Sequence, residues 1–274
     1  MKALRRKRSW KRRIADAVSN APNRARDATS AAGQLDVPWA RSWVARVVRA
    51  NFQRFILNPM MDFYARRRAS GREKLAAVKG PVILVANHTS HMDTPVILAA
   101  LPRKLRKRTA VAAAADYFYR VPLVGHAVTL AFNTVAVERK GGGVVPDAAS
   151  QVGKLVHDGW SLLVYAEGTR SRDGTVGRLR SGAAVLAAEE GLPIVPVYVS
   201  GTFPVMPKGR RWARRAPGGK RHEIAVHFGP AVHPGADEHR TDVMERVRQF
   251  FIASGAETTP DKRIAARERR SAAS

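Results

Sequence analysis

Short apolar runs, each followed by a turn or a helical stretch, are the feature of this sequence that most restricts its fold. Six runs follow residue 80, at 82–86, 109–114, 134–137, 162–166, 194–199 and 224–228. Alanine-rich stretches with helical character separate some of them, at 146–157 and 182–190. Strands that alternate with helices are typical of an α/β domain, and we predict a mixed central β-sheet flanked by helices.

An amphipathic pattern precedes these runs. Between residues 39 and 64, apolar side chains recur at helical spacing, while Arg46, Arg49 and Gln53 mark a polar stripe on another face. One interpretation is a helix that packs on the domain behind it. The other is an interfacial helix whose Trp/Phe face lies in lipid while its arginines meet headgroups. Both interpretations can hold for different faces.

The chain as a whole divides into four predicted segments. They are a basic mobile arm at 1–37, an N-terminal amphipathic membrane-interface helix at 38–66, the main α/β domain at 67–256 and a basic polar tail at 257–274. Apolar spacing within 242–253 predicts a helix that closes the domain.

The charge of the chain favours polyanionic partners. Its 48 basic and 22 acidic residues leave a net charge of +26, with basic clusters at 103–108 and 208–221. Such a field attracts nucleic acid, an anionic bilayer or a phosphorylated substrate, and charge alone does not choose among them. The absence of cysteine excludes disulfides, thiolate nucleophiles and zinc–thiolate sites.

The sequence predicts neither a signal peptide nor a transmembrane helix. The basic N-terminus is not followed by an apolar run of the required length. The longest uncharged stretches, 121–137 and 191–207, are interrupted by proline, glycine, histidine or asparagine. They are also shorter than the roughly 20 apolar residues that a spanning helix needs.

A polar block at 87–93 directly follows the first apolar run. Polar residues at the carboxyl end of a strand are where α/β sheets usually bind ligands. His88 and Asp93 are five residues apart, so a turn can bring the carboxylate to the imidazole, fix its tautomer and stabilise the imidazolium. A histidine base with an orienting carboxylate suits direct attack of an acceptor hydroxyl on a thioester.

The same block leaves two alternatives open. His88, His91 and Asp93 form a partial set of metal ligands, although we expect no metal. In the other alternative, Asn87, Ser90 and Asp93 merely cap a helix.

A second polar block follows the run at 162–166. It reads Glu167-Gly168-Thr169-Arg170-Ser171-Arg172-Asp173-Gly174. Its glycines let the backbone approach a ligand, Thr169 and Ser171 offer hydroxyls, and Arg170 and Arg172 can hold a phosphate in a fork. Arg139, after the run at 134–137, can add a phosphate contact. The alternative for this block is a turn rich in charge.

Four blocks in this order resemble the PlsC-type glycerolipid acyltransferases, which include 1-acylglycerol-3-phosphate acyltransferases. They are N-H-x-S-x-x-D at 87–93, a block ending in arginine at 133–139, E-G-T-R-S at 167–171 and a proline-bearing strand at 194–197. The resemblance covers roughly residues 67–230. One departure is Tyr165-Ala166, where the family often has Phe-Pro.

The resemblance implies a role for each matching position. His88 is implied as the base and Asp93 as its orienting carboxylate. A further group is implied to bind the glycerol phosphate of the acceptor: Arg139, Glu167, Gly168, Thr169 and Arg170. The supporting positions are Asn87, Ser90, Ser171 and Pro196, of which Pro196 is tied to the acyl-donor side or to the shape of the site. His91 falls on a variable position.

The expected function is acyl transfer from acyl-CoA or acyl-ACP to the free hydroxyl of a lysophospholipid, giving phosphatidic acid from 1-acylglycerol-3-phosphate. No cofactor is expected beyond this co-substrate. The expected location is peripheral, on an anionic membrane surface at the cytoplasmic face. The alternatives are a CoA-independent transacylase or another hydroxylated lipid acceptor, and more remotely a nucleic-acid-binding protein, for which no helix-turn-helix, RRM or zinc-finger pattern is present.

Overall fold

The structure, a computed structural model, describes residues 38–114, 122–137, 139–140, 143–144, 146–210 and 212–259. It gives the backbone alone for residues 114, 122–123, 136–137, 139–140, 143–144 and 146–151. The predicted arm at 1–37 and residues 260–274 of the predicted tail lie outside the described residues.

The helices confirm the predicted closing helix and both alanine-rich stretches. They are α1 (Trp43–Phe52), α2 (Asn58–Tyr64), α3 (Arg72–Ala76), α4 (Asp93–Ala100), α5 (Arg103–Arg106), α6 (Pro122–Phe132), α7 (Pro146–His157), α8 (Gly182–Glu189) and α9 (Arg240–Ala253). Short 3-10 turns lie at Pro38–Arg41 and Pro217–Gly219. A π-helical turn, Gln53–Leu57, joins α1 to α2 just before Pro59, whose missing N–H interrupts the regular hydrogen-bond ladder.

Every predicted apolar run is a strand, with ends within two residues of those predicted. The strands are β1 (Ala65–Ser70), β2 (Ile83–Ala86), β3 (Thr109–Ala114), β4 (Thr134–Val137), β5 (Arg139–Lys140), β6 (Gly143–Val144), β7 (Ser161–Tyr165), β8 (Ile194–Ser200) and β9 (His222–Phe228). β1 was not predicted, because its three consecutive arginines carry no apolar signal. It begins at Ala65, inside the segment that the sequence analysis assigned to the helix.

Seven strands form one mixed sheet in the order β1-β9-β8-β2-β7-β3-β4. β8 and β9 pair antiparallel, whereas the other neighbouring pairs are parallel. β2, β7 and β8 therefore finish at the same end of the sheet, which we call its carboxyl end. Since β9 and β1 run the opposite way, the connection from β8 to β9 and the end of α2 also lie there.

Helices cover both faces of the sheet, so its central strands are apolar on both sides. In β2, Ile83 and Val85 join one buried cluster with side chains of α7, α8 and α9, whereas Leu84 and Ala86 join the other cluster with side chains of α2 and α4. The result is a three-layered domain whose polar loops gather at the ends of the sheet.

The polar stripe of α1 faces the protein rather than water. Arg49 is buried and donates hydrogen bonds to the carbonyls of Leu130 (2.7 Å) and Ala40 (2.6 Å), and the Gln53 amide donates to Ala131 O (2.9 Å). The bonds to Leu130 and Ala131 satisfy carbonyls in the last turn of α6, where the helix dipole also favours a positive charge, and the bond to Ala40 reaches the 3-10 turn before α1. Burial, followed by repulsion from Arg41 and Arg46, lowers the pKa of Arg49 to about 10, so the side chain stays charged at neutral pH.

The apolar stripe of α1 and α2 is therefore turned outward. Its side chains include Trp43, Val44, Val47, Val48, Phe55, Ile56, Met60 and Phe63, all of them exposed. The interpretation that places arginines of this helix at headgroups does not hold for Arg49, which binds backbone carbonyls instead. Within the described residues, no helix has both the length and the apolarity that crossing a bilayer requires.

Replacing Arg49 with methionine should weaken the docking of α1 on α6. The change keeps most of the side-chain volume but removes charge-assisted bonds to carbonyls, so we expect a loss of about 2 kcal/mol in the free energy of unfolding. Arg54→Met is the control, because Arg54 is exposed over the Phe55 ring and should cost less than about 0.5 kcal/mol. Urea unfolding followed by circular dichroism measures both, and equal losses would contradict the docking role of Arg49.

Candidate active site

The loop after β2, residues 87–92, is held in place from its first residue. The Asn87 side chain donates to Val199 O (2.9 Å) and accepts from Val199 N–H (2.8 Å). It therefore continues the pairing of β2 with β8 by one further residue. The loop leaves the carboxyl end of the sheet in a fixed direction, and α4 begins at Asp93.

His88 and Asp93 meet as the sequence predicted. The distance between His88 Nδ1 and Asp93 Oδ2 is 2.8 Å. An ionised carboxylate can only accept a hydrogen bond, so Nδ1–H is the donor. The in-plane lone pair of the neutral ring then lies on Nε2. No hydrogen bond from a described residue reaches Nε2, and the His88 side chain retains 19% of its exposure. Nε2 is therefore the ring nitrogen that remains for a substrate.

Asp93 is fully buried and receives three more hydrogen bonds. The backbone N–H groups of Thr89 (2.7 Å) and Ser90 (2.8 Å) donate to Oδ2, and the Thr202 hydroxyl donates to Oδ1 (2.5 Å). All the donors lie outside α4, so the carboxylate organises the preceding loop and does not cap the helix. Asn87 is engaged with β8, so the helix-cap alternative does not hold for Asn87 or Asp93. Ser90 Oγ does accept a backbone N–H directly before α4, that of Met92 (3.0 Å).

The imidazole of His88 stacks on the ring of Tyr165, at the end of β7. Their centroids are 3.9 Å apart and the planes are inclined by 17°. The Tyr165 hydroxyl shares a 2.6 Å hydrogen bond with Thr94 Oγ1. Burial, followed by the negative charge of Asp93, raises the pKa of Tyr165, which keeps the phenol neutral. Tyr165 thus fixes the plane of the His88 ring from one side.

Glu167 connects the two polar loops. Its Oε1 accepts the backbone N–H of His88 (2.8 Å) and its Oε2 accepts that of Gly177 (2.9 Å). Burial raises the pKa of Glu167, although both backbone hydrogen bonds oppose that shift. Ser171 adds a second link, since its backbone N–H donates to His88 O (2.8 Å). The sequence predicted substrate binding for Glu167, whereas the visible contacts of its carboxylate are with the backbone.

Gly168 is required by the shape of the second loop. Its φ is +74°, a left-handed conformation that side-chain-bearing residues rarely adopt. A Cβ there would also lie 2.8 Å from Arg180 Nε. The following residue, Thr169, is exposed, and the ammonium of Lys208 donates to its hydroxyl (3.2 Å) and to Arg170 O (3.5 Å).

Arg170 reaches back to the first loop, where its Nη1 is hydrogen-bonded to His91 Nε2. Partial burial, followed by the charge of Arg170, lowers the pKa of His91 to about 4, so the ring is neutral and accepts from the guanidinium. His88 Nδ1 is likewise occupied by Asp93. Among the described residues, no three His, Asp or Glu side chains are grouped as a metal site requires.

Three further predicted positions are Ser90, Pro196 and Arg139. Ser90 Oγ donates to Met206 O (2.8 Å), which ties the first loop to the β8–β9 connection. Pro196 is buried within β8 beside Val85, and its carbonyl accepts Gly229 N–H (2.8 Å). It is a sheet residue below the loops. Arg139 begins β5, and its side chain lies outside the described part of the chain.

Sequence reasoning missed Thr202, Tyr165 and Lys208 as members of the site. Thr202 and Lys208 follow β8, over 100 residues beyond Asp93, and only the sheet order brings them to the carboxyl end beside β2. Tyr165 had a usable signal, since it ends a predicted strand directly before the second polar block. Lys208 was visible only as part of the basic cluster at 208–221.

Comparisons with known proteins point to the acyltransferases. The sequence profile of the acyltransferase family matches residues 66–200. A chloroplastic 1-acyl-sn-glycerol-3-phosphate acyltransferase of Brassica napus is 31% identical over 140 residues, which are 51% of this chain and 38% of that protein. A 1-acyl-sn-glycerol-3-phosphate acyltransferase of Chlamydomonas reinhardtii is 28% identical over 197 residues, covering 70% of this chain and 56% of that protein. The chain thus spans less than two thirds of the length of either relative.

The fold also has a solved counterpart. The crystal structure of PlsC, the 1-acyl-sn-glycerophosphate (LPA) acyltransferase of Thermotoga maritima, matches with a TM-score of 0.57 and 24% identity, over 78% of this chain and 82% of that one. The likeness extends to the mixed sheet with its flanking helices. The matched profile and the curated relatives support the PlsC-type acyltransferase family, and the solved structure supports the same fold.

Proposed function

We propose that this protein transfers a fatty acyl group from a thioester donor to the free hydroxyl of a lysophospholipid, with 1-acylglycerol-3-phosphate as the preferred acceptor and phosphatidic acid as the product. The observation that carries the proposal is the open Nε2 of His88, whose Nδ1 is held by a buried carboxylate 2.8 Å away. The relatives are named 1-acyl-sn-glycerol-3-phosphate acyltransferases, which supports the choice of acceptor.

In the proposed reaction His88 acts as a general base. Nε2 takes the proton from the acceptor hydroxyl while its oxygen attacks the thioester carbonyl, and Asp93 stabilises the imidazolium that forms. The tetrahedral intermediate collapses with loss of the thiolate, which recovers the proton from the imidazolium. The chain has no cysteine, and no serine or threonine hydroxyl among the described residues is hydrogen-bonded to Nε2. Direct transfer to the acceptor therefore needs no acyl-enzyme.

The acceptor phosphate is proposed to bind where the two polar loops meet. Arg170 is positioned by His91, and Lys208 lies against Thr169 and the Arg170 carbonyl. Two cations and a hydroxyl thus lie close together where the two loops meet, and charge-assisted bonds to phosphate are the strongest of the contacts they can make. Arg139 is proposed as a further phosphate contact on the resemblance alone.

The donor is proposed to be acyl-CoA or acyl-ACP, used as a co-substrate without any other cofactor. The net charge of +26 suits both the phosphates of coenzyme A and an acidic carrier protein.

The proposed location is peripheral, on the cytoplasmic face of an anionic membrane. The support is the inverted packing of α1 and α2, in which Arg49 and Gln53 point inward while Trp43 is 70% exposed and Phe55 is 65% exposed. Exposure of a contiguous apolar stripe to water is unfavourable in free energy, and contact with a lipid interface removes that unfavourable exposure. The same helix then packs on the domain with one face and meets lipid with the other.

The direct test is release of free thiol from palmitoyl-CoA by purified protein on anionic vesicles containing lysophosphatidic acid. Release by the wild type should require the acceptor, and His88→Ala should lower the rate by about 10²–10⁴-fold because the general base is lost. His157→Ala is the matched control, since this histidine is exposed on α7 in the opposite layer and should retain the wild-type rate. Activity that survives in His88→Ala would sink the mechanism, and acylation only from phospholipid would favour a transacylase.

Lys208→Gln tests the proposed phosphate site. With a short-chain soluble lysophosphatidic acid, kcat/KM should fall about tenfold, the loss of about 1.4 kcal/mol expected for one charge-assisted hydrogen bond. With an uncharged monoacylglycerol it should change little, and Lys208→Arg should recover most of the loss. Lys220→Gln, a neutralisation outside the site, is the control. An equal fall with both acceptors would show that Lys208 does not recognise phosphate.

A further inference from the structure

We propose that the segment comprising residues 208–221 is a second membrane anchor, in which Trp212 enters the headgroup region of an anionic bilayer and turns the carboxyl end of the sheet toward the lipid. This inference rests on the proposed membrane-surface function and adds to it a second contact point. We call residues 208–221 the Trp212 segment.

Trp212 is the first observation. It is 79% exposed, more than any other large apolar side chain recorded as exposed in the described residues. The described backbone that follows it is hydrogen-bonded, since Arg214 N–H donates to Val205 O (3.0 Å) and Ala216 N–H donates to Lys220 O (2.9 Å). An indole ring that is exposed beside an ordered turn is typical of an interfacial tryptophan.

The charge around Trp212 is the second observation. The Trp212 segment contains no acidic residue and seven basic ones: Lys208, Arg210, Arg211, Arg214, Arg215, Lys220 and Arg221. Basic residues next to a bilayer contribute about 1 kcal/mol each through attraction to anionic lipid. An indole surrounded by cations matches the boundary of an anionic bilayer, where apolar chains lie below negatively charged headgroups.

The third observation is the contact of the Trp212 segment with α2, and it favours a bilayer over nucleic acid as the binding partner. The Arg215 guanidinium lies over the Phe63 ring, 4.9 Å from its centroid, and Arg221 Nη1 donates to Asp62 O (3.4 Å). Phe63 is itself 57% exposed and ends the outward apolar stripe. Nucleic acid would match the cations but would leave this adjoining stripe in water, whereas a bilayer covers both.

The position of the segment gives the anchor its consequence. It connects β8 to β9 at the carboxyl end of the sheet, and Lys208 at its start touches the Thr169 hydroxyl. One interfacial helix can roll about its own axis, but a second contact at one end of that helix fixes the orientation of the domain. In that orientation the phosphate of a membrane-embedded acceptor meets Arg170 and Lys208 at the height of the headgroups.

Single-cysteine labelling tests the anchor in the full-length chain, because the sequence has no cysteine of its own. Trp212→Cys, Phe55→Cys and Ile252→Cys would each carry an NBD fluorophore and be mixed with phosphatidylcholine vesicles with or without phosphatidylglycerol. Ile252 is an exposed side chain of α9 in the opposite layer and serves as the control. On anionic vesicles, the fluorescence emission of NBD at positions 212 and 55 should shift to the blue and become protected from quenching by iodide. The emission of NBD at position 252 should remain that of a fluorophore in water.

Each outcome separates the anchor from the function on which it rests. If position 55 inserts and position 212 stays in water, the second anchor is wrong while the membrane helix stands. If neither inserts, the membrane location itself fails. Trp212→Ser should in addition lower the initial rate several-fold with acceptor embedded in anionic vesicles, and leave the rate with a soluble short-chain acceptor unchanged. An equal fall in both assays would overturn the anchor, because it would mean that Trp212 acts on the reaction itself.

Discussion

The buried carboxylate of Asp93 is the constraint on which the candidate site depends. It receives hydrogen bonds from His88, from two backbone N–H groups of the same loop and from Thr202 beyond β8. A charge in such a place is tolerated only when it is fully hydrogen-bonded, so each donor is held where the carboxylate needs it. One ionised group thereby fixes the tautomer of the proposed base and the position of two loops.

The buried Glu167 carboxylate, which follows the neighbouring strand β7, holds the backbone of two loops in a similar way. Its two oxygens join the backbone at His88 and Gly177, so the loop that offers Arg170 is fixed relative to the imidazole before any substrate arrives. Preorganised polar groups of this kind lower the reorganisation that a reaction requires.

Outside the site, the packing of α1 determines the proposed membrane contact. Its Arg49 side chain binds protein carbonyls, whereas its exposed tryptophan faces away from the domain. The proposed membrane contact follows from this orientation.

Local signals in the sequence predicted the elements and the His88–Asp93 pair, because both depend on residues close together in the chain. The strand β1 was missed, since Ala65–Ser70 is an arginine-rich edge strand that forms by pairing with β9. The inward direction of Arg49 was missed for a similar reason, because two of its acceptors, Leu130 O and Thr129 O, belong to α6 about 80 residues away. Thr202 and Lys208 join the site only through the order β8-β2-β7, which no local pattern encodes.

The central claim is that Asp93 holds His88 with its proton on Nδ1 and leaves Nε2 free to act as a base. Nitrogen-15 correlation spectra of histidine-labelled protein, recorded where the ring is neutral, measure this tautomer directly, with His88 assigned by its absence from His88→Ala. The account predicts a protonated Nδ1 and a bare Nε2 in the wild type. A neutral His88 with its proton on Nε2 would contradict it, because that nitrogen then has no lone pair with which to accept the acceptor's proton.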